Sequence, residues 1–173
     1  MRMKRFAVQI GDITKCQADA LVHPVTEQLD SAGVVSEEIF RAAAPSLREE
    51  LKGIASCQPG AVVVTDAHGL AVKKLFHTVN PKWQGGDADE ERILADCYRN
   101  CLQKAVELGL KTLVFPSIST GAYHFPVNLA ANIAVRTILD FLKTDSTLES
   151  VQLVCLDART TLVYDMCAAQ YQR

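Results

Sequence analysis

The stretch TLVFPSISTGAYHFP, residues 112–126, governs the interpretation of the whole chain. Its apolar start, Leu113-Val114-Phe115, predicts a short buried strand, and Pro116 should end the ladder because proline has no N–H to donate. Small residues with hydroxyl groups and Gly121 follow, and Pro126 stands where a helix is predicted to begin. A strand, a small-residue loop and a helix N-terminus can together bind an anion. An ordinary strand-to-helix connection has the same pattern, and spacing alone favours it.

Length and composition predict one soluble domain spanning residues 1–173. The chain is 49% apolar and 22% charged, as is usual for a globular protein that buries a sizeable core. Its formal net charge is -2. This balance argues against a duplex nucleic acid as a partner, because such binders carry a strong excess of basic residues.

Cysteine and histidine spacing predicts neither a metal site nor a cofactor. The six cysteines form no C-x-x-C pair, and the four histidines show no ligand spacing with them. Reduced cysteines fit a cytosolic protein. No apolar segment of a signal peptide follows the basic start, and no run reaches membrane-spanning length. We therefore expect a cytoplasmic protein without a signal peptide and without a membrane partner.

Hydrophobic periodicity predicts an α/β protein. Short apolar runs predict strands at 6–10, 20–22, 61–65, 74–79, 113–115 and 150–156. Helical spacing predicts helices at 34–54 (interrupted at Pro45), 90–108, 127–143 and 160–169. In the last helix the inward residues are predicted to be Leu162, Val163, Met166 and Cys167. The order implies three α/β/α layers around a central mixed, mostly parallel sheet of about six strands. Ligands of such sheets bind at the carboxyl ends of strands, so the turns after Ile10, Phe115 and Leu156 are candidates for one site.

Several stretches together resemble the macrodomain family, an ADP-ribose-binding α/β fold. They are GDIT at 11–14, HTVNPKW at 77–83, FPSISTGAYHFP at 115–126 and VQLVCLD at 151–157. The resemblance covers nearly the whole chain. It is strongest to bacterial stand-alone macrodomains, many of which hydrolyse O-acetyl-ADP-ribose or other ADP-ribosyl esters.

The resemblance implies roles for named residues. Asp12 would accept a hydrogen bond from the adenine amino group, beside the backbone of Ile13. The loop after residue 116 would surround the diphosphate with N–H groups and hydroxyls, and Tyr123 would lie against the distal ribose. The ligand-binding positions implied are Asp12, Ile13, Gly33, Val34, Ser117, Ser119, Thr120, Gly121, Ala122, Tyr123 and Leu156.

Departures from the family pattern concentrate at the positions tied to hydrolysis. The Asn that usually follows the second strand is Thr26, and the usual acid of the first ligand loop is Ser36, which is no general base by itself. That loop has also lost glycines, with Val34 the least compatible replacement. The aromatic residue that usually stacks on adenine is Leu156. Stacking on an aromatic ring is worth roughly 1–3 kcal/mol per base, so binding should be weaker.

Three functions remain open on these grounds. The first is binding of ADP-ribose or a related small nucleotide through residues 117–123, with weak or no hydrolysis. The second is active hydrolysis of ADP-ribosyl esters, with Thr26 and Ser36 at the usual catalytic positions. The third is a changed ligand or a partner-binding role. The oligomeric state is left open.

Overall fold

The computed structural model describes residues 4–172. A 3-10 turn at Ile13–Lys15 follows the first strand. The strands and helices are β1 (Phe6–Ile10), β2 (Ala18–Val25), α1 (Val34–Ala42), α2 (Ser46–Lys52), β3 (Val62–Asp66), β4 (Val72–Val79), α3 (Glu90–Glu107), β5 (Thr112–Pro116), α4 (Val127–Thr144), β6 (Ser150–Cys155) and α5 (Ala158–Tyr171). The helices between residues 4 and 172 are all too short or too polar to cross a membrane.

The strands form one sheet in the order β1-β6-β5-β2-β4-β3. All neighbouring pairs are parallel except β3 with β4. Successive side chains of a strand point to opposite faces. Accordingly, Ala20 and Val22 of β2 pack with α3, α4 and α5, whereas Leu21 and Val25 pack with α1 and α2. The predicted three-layer α/β/α fold with a mixed sheet is confirmed.

Strand β2 is longer than predicted and runs through Pro24 to Val25. The sequence pattern predicts a strand over residues 20–22 that ends before Pro24, since proline cannot donate to a ladder. However, β5 pairs with β2 only at Ala20 and Leu21, so beyond these residues β2 has β4 as its single neighbour. Proline is tolerated where one side of a strand is unpaired. This extension brings the end of β2 level with the end of β4.

The inward face of α5 was predicted incorrectly in part. Leu162 and Met166 are 59% and 56% exposed, while Tyr164 and Ala168 are buried. Val163 and Cys167 do pack against the core, as expected. Residues two apart on a helix differ by about 200° in direction, so a helix that buries Tyr164 must expose Leu162. Apolar residues occur on both faces of this helix, so their periodicity could not show which face is buried.

Candidate functional site

A groove crosses the carboxyl ends of the parallel strands and comprises three adjoining cavities. The Asp12 cavity shares Val34 and Leu156 with the central cavity, which in turn shares Asn80 and Tyr123 with the Thr26 cavity. The residues predicted from the resemblance all line this groove. They are Asp12 and Ile13 at one end, Gly33, Val34, Ser36, Ser117, Ser119, Thr120, Gly121, Ala122, Tyr123 and Leu156 along it, and Thr26 at the other end.

Residues 119–123 line the central cavity with unpaired backbone donors. The loop is closed by hydrogen bonds from Phe125 N to Ser119 O and from His124 N to Gly121 O, each 3.0 Å. Ser119 adopts a left-handed conformation with φ 67°. Within residues 4–172, none of the N–H groups of 119–123 has a hydrogen-bond acceptor. Consecutive free N–H groups form a concavity suited to an anion.

The hydroxyl groups of Ser119 and Thr120 in the same loop are used within the protein. Ser119 Oγ donates to Pro81 O at 2.8 Å, and Thr120 Oγ1 lies 3.0 Å from Ser117 O and 3.1 Å from Ser117 Oγ. These bonds fix the shape of the loop. The backbone N–H groups therefore remain free for a ligand.

The opposite wall is the loop that leads into α1. Gly33 is the N-cap of this helix, and within residues 4–172 no side chain caps it. A Cβ at Gly33 would lie 3.4 Å from Ala122 Cβ, so the two loops approach each other closely here. The uncapped N-terminus of α1 adds positive electrostatic potential to this wall. Val34 is 68% exposed and lines both the Asp12 and the central cavity.

Asp12 begins the 3-10 turn and is fixed by Thr14. Its Oδ1 accepts from Thr14 Oγ1 at 2.6 Å and from Thr14 N at 2.9 Å. These bonds lower the pKa of the carboxyl group, which is charged at neutral pH. Asp12 Oδ2 accepts no hydrogen bond from the described part of the chain, residues 4–172. It is therefore available to an amine at this end of the groove.

A chain of buried side chains under α1 was not foreseen. Ser36 Oγ lies 2.6 Å from His23 Nε2, His23 Nδ1 lies 2.8 Å from His77 Nδ1, and His77 Nε2 lies 2.8 Å from Thr65 Oγ1. Thr65 Oγ1 donates to Asp66 O at 2.9 Å, so it accepts from His77 Nε2. Each neutral imidazole has one donor and one acceptor. It follows that His23 Nδ1 donates to His77 and that Ser36 donates to His23 Nε2.

Both imidazoles are neutral. Burial lowers the pKa of His77 to about 3. Burial, followed by the proximity of His77, lowers the pKa of His23 well below its usual value. A histidine with such a depressed pKa accepts a proton poorly, although it lies within reach of the Ser36 hydroxyl. His77 is also fully buried, as a packed core residue is.

The acids in or beside the central cavity are engaged elsewhere. Asp157 lines the central cavity, but its Oδ1 and Oδ2 accept from Thr160 N and Oγ1, and these bonds cap α5. These bonds lower its pKa. Glu37 lies 3.5 Å from Arg48, and Glu38 pairs with Arg41 at 2.7 Å. The structure thus places several donors for an anion in the groove, but within residues 4–172 no unpaired carboxylate in its central cavity.

Comparison with known proteins gives a consistent answer. The family model described as "Macro domain" matches residues 22–134. An "O-acetyl-ADP-ribose deacetylase" of Citrobacter koseri is 41% identical over 170 residues, which is 96% of each protein. A "Macro domain-containing protein" of Methanosarcina mazei is 42% identical over 155 residues, 90% of this chain and 83% of that protein.

Solved structures of macrodomains have the same fold. A mutant macrodomain of Oceanobacillus iheyensis, solved with ADPR, has a TM-score of 0.91 and 30% identity over 96% of this chain and 92% of its own. The Trypanosoma brucei macrodomain in complex with ADP-ribose has a TM-score of 0.87 and 28% identity, covering 94% of this chain and 68% of its own. The fold, the groove and these matches show that the chain belongs to the macrodomain family.

Proposed function

We propose that this chain binds ADP-ribose or a closely related nucleotide in the groove and hydrolyses its esters weakly or not at all. The row of unpaired N–H groups at 119–123, facing the uncapped N-terminus of α1 across the central cavity, carries the proposal. Two partial positive charges that converge on one cavity suit a diphosphate. Asp12 Oδ2 at one end of the groove suits the amino group of adenine.

Weak or absent hydrolysis follows from the lack of a competent base in the central cavity. Ser36 donates a hydrogen bond to His23, whose low pKa makes it a poor proton acceptor. Asp157 has both carboxylate oxygens engaged by Thr160. Glu37 and Glu38 form ion pairs with arginines. A water molecule in the central cavity would therefore not be activated efficiently.

Active hydrolysis is the second candidate, favoured by one observation. Relatives about 40% identical to this chain are named O-acetyl-ADP-ribose deacetylases. If the chain shares that activity, the Ser36–His23 pair is the candidate proton acceptor in the central cavity, because among the described residues it alone joins a cavity-lining hydroxyl to an imidazole acceptor.

Calorimetric titration with ADP-ribose, followed by an assay of O-acetyl-ADP-ribose hydrolysis, tests the proposal. We expect saturable heat with one site per chain and turnover far below that of the Citrobacter koseri relative assayed in parallel. Absence of heat at millimolar ligand would rule out binding. Turnover equal to the relative's would show that the central cavity contains a competent base, and Ser36→Ala and His23→Gln would then identify it.

Replacing Leu156 by phenylalanine should tighten nucleotide binding. Leu156 is 50% exposed and lies between the Asp12 and central cavities, where a flat ring could stack on a base. Stacking contributes roughly 1–3 kcal/mol, so we expect the Kd for ADP-ribose, measured by calorimetry, to fall about 5-fold to 100-fold. Leu162→Phe, an equally exposed leucine on α5, is the matched control and should leave the Kd unchanged; an unaltered Kd for Leu156→Phe would place the base elsewhere.

A further inference from the structure

Asn80 contributes a buried hydrogen-bond acceptor that the protein itself does not use. The residue follows the last residue of β4 and is 6% exposed. Its backbone N–H donates to Val25 O at 3.3 Å, which holds it beside the end of β2. Within residues 4–172, Asn80 Oδ1 has no hydrogen-bond partner. A buried acceptor without a partner is costly, so its position in a cavity wall points to a ligand that supplies the missing donor.

The orientation of the Asn80 amide is fixed by Ser119. Ser119 Oγ gives its own proton to Pro81 O at 2.8 Å, so it can only accept from the amide. Asn80 Nδ2 donates to it at 3.2 Å. If the amide were rotated by 180°, Asn80 Oδ1 would face Ser119 Oγ, and two acceptors would meet because Ser119 has no second proton to donate. Oδ1 therefore points away from Ser119 and is the unpaired atom.

Asn80 and Tyr123 line both the central cavity and the Thr26 cavity, and so form the partition between them. On the central side lie the N–H groups of 119–123, which suit phosphates. A carbonyl oxygen repels phosphate and attracts a neutral O–H or N–H donor. If the phosphates of a ligand occupy the central cavity, the group bonded to its outer phosphate would therefore lie next to Asn80.

We propose that Asn80 Oδ1 accepts a hydrogen bond from a hydroxyl of the sugar carried on the outer phosphate, and that this contact makes the protein prefer ADP-ribose to ADP. The inference rests on the proposed binding of ADP-ribose in the groove. Because the oxygen is covered in the structure, this contact requires the side chains of Asn80 and Tyr123 to shift when the sugar binds. Thr26, at the far side, already accepts from Asp30 N at 3.2 Å through Oγ1, whereas Asn80 Oδ1 has no partner within residues 4–172.

The test compares the affinities of ADP-ribose and ADP by calorimetry in the wild-type chain and in Asn80→Ala. We expect Asn80→Ala to weaken ADP-ribose about 10-fold, the usual effect of one lost hydrogen bond to a buried acceptor, and to change the affinity for ADP less than about 2-fold. Asn100→Ala is the matched control. Its amide donates to Gly60 O at 2.9 Å, away from the groove, so neither affinity should change.

A second measurement needs no variant. ADP-ribose analogues that each have one hydroxyl of the terminal ribose replaced by hydrogen are compared in the wild-type chain. The analogue that lacks the hydroxyl bonded to Asn80 should bind about 10-fold more weakly than ADP-ribose. If the wild-type chain binds neither ADP nor ADP-ribose, the proposed function fails and this inference with it. If the wild-type chain binds both nucleotides, nucleotide binding stands. The role of Asn80 is then overturned by either of two results: Asn80→Ala changes the two affinities equally or changes neither, or every single-hydroxyl analogue binds as tightly as ADP-ribose.

Discussion

Gly121→Glu is expected to abolish ADP-ribose binding without unfolding the protein. Gly121 lines the central cavity, and a Cβ placed on it meets no atom within 4 Å. Its φ is not positive, so a larger residue is not strained there. The new carboxylate would instead occupy the N–H groups of 119–123 and repel a diphosphate. At about 4 Å and an effective dielectric constant near 20 this repulsion is about 4 kcal/mol, equivalent to about a 1000-fold loss of affinity.

Calorimetry on Gly121→Glu and Gly121→Ala side by side separates charge from size. The alanine variant has the added Cβ without the charge and should bind ADP-ribose within a few-fold of the wild-type chain. Both variants should unfold thermally within a few degrees of it, because neither disturbs a packed contact. Binding that survives Gly121→Glu would mean that the phosphates do not lie in this loop.

The sequence was sufficient to predict the three layers and the succession of strands and helices along the chain. Long apolar-periodic segments such as Glu90–Glu107 and Val127–Thr144 were located within two residues of their ends. Local pattern failed where tertiary context decided the outcome. Pro24 continues a strand because β5 stops pairing with β2 before Pro24 is reached. Leu162 is exposed because α5 packs on the core through Tyr164. Neither fact is encoded within a few residues of those positions.

The site was predicted in outline but not in its polar details. The loop 117–123 and Asp12 were identified by the family resemblance. The Ser36–His23–His77–Thr65 chain was missed because its members come from α1, β2, β4 and β3, and only strand register brings them together. One signal was available: His23 and His77 each end an apolar run, and the two strands pair with these residues opposite one another. Asn80 was missed because an unpaired acceptor is visible only when its surroundings are known.

The same buried chain makes a strong prediction for stability against pH. His23 and His77 have pKa values lowered by burial in the folded protein, while an unfolded histidine titrates near 6.5. Below pH 6.5 the unfolded chain therefore binds protons that the folded chain does not bind, and the free energy of unfolding falls as pH falls. For His77 the loss continues down to its folded pKa of about 3. Above pH 6.5 both states are neutral and this contribution is constant.

The size of the effect can be measured by urea unfolding at pH 7.5 and pH 5.5. Each buried histidine should reduce the free energy of unfolding by about 1.4 kcal/mol across that interval, so the pair reduces it by about 3 kcal/mol. Carboxylates with lowered pKa values, such as Asp12 and Asp157, contribute only near and below their unfolded values of 3.8. The interval therefore isolates groups that titrate near neutrality.

Two variants test whether His23 and His77 cause the dependence of the free energy of unfolding on pH. His77→Asn removes one titrating group and should halve the pH-dependent loss, whatever its effect on absolute stability. His124→Asn is the control, because His124 is exposed and its φ of 57° suits asparagine; it should leave the buried-pair contribution intact. Equal stability of the wild-type chain at the two pH values would contradict neutral burial of His23 and His77. It would also remove the physical basis for the poor basicity of His23, and the Ser36–His23 pair would then have to be reconsidered as a proton acceptor for hydrolysis.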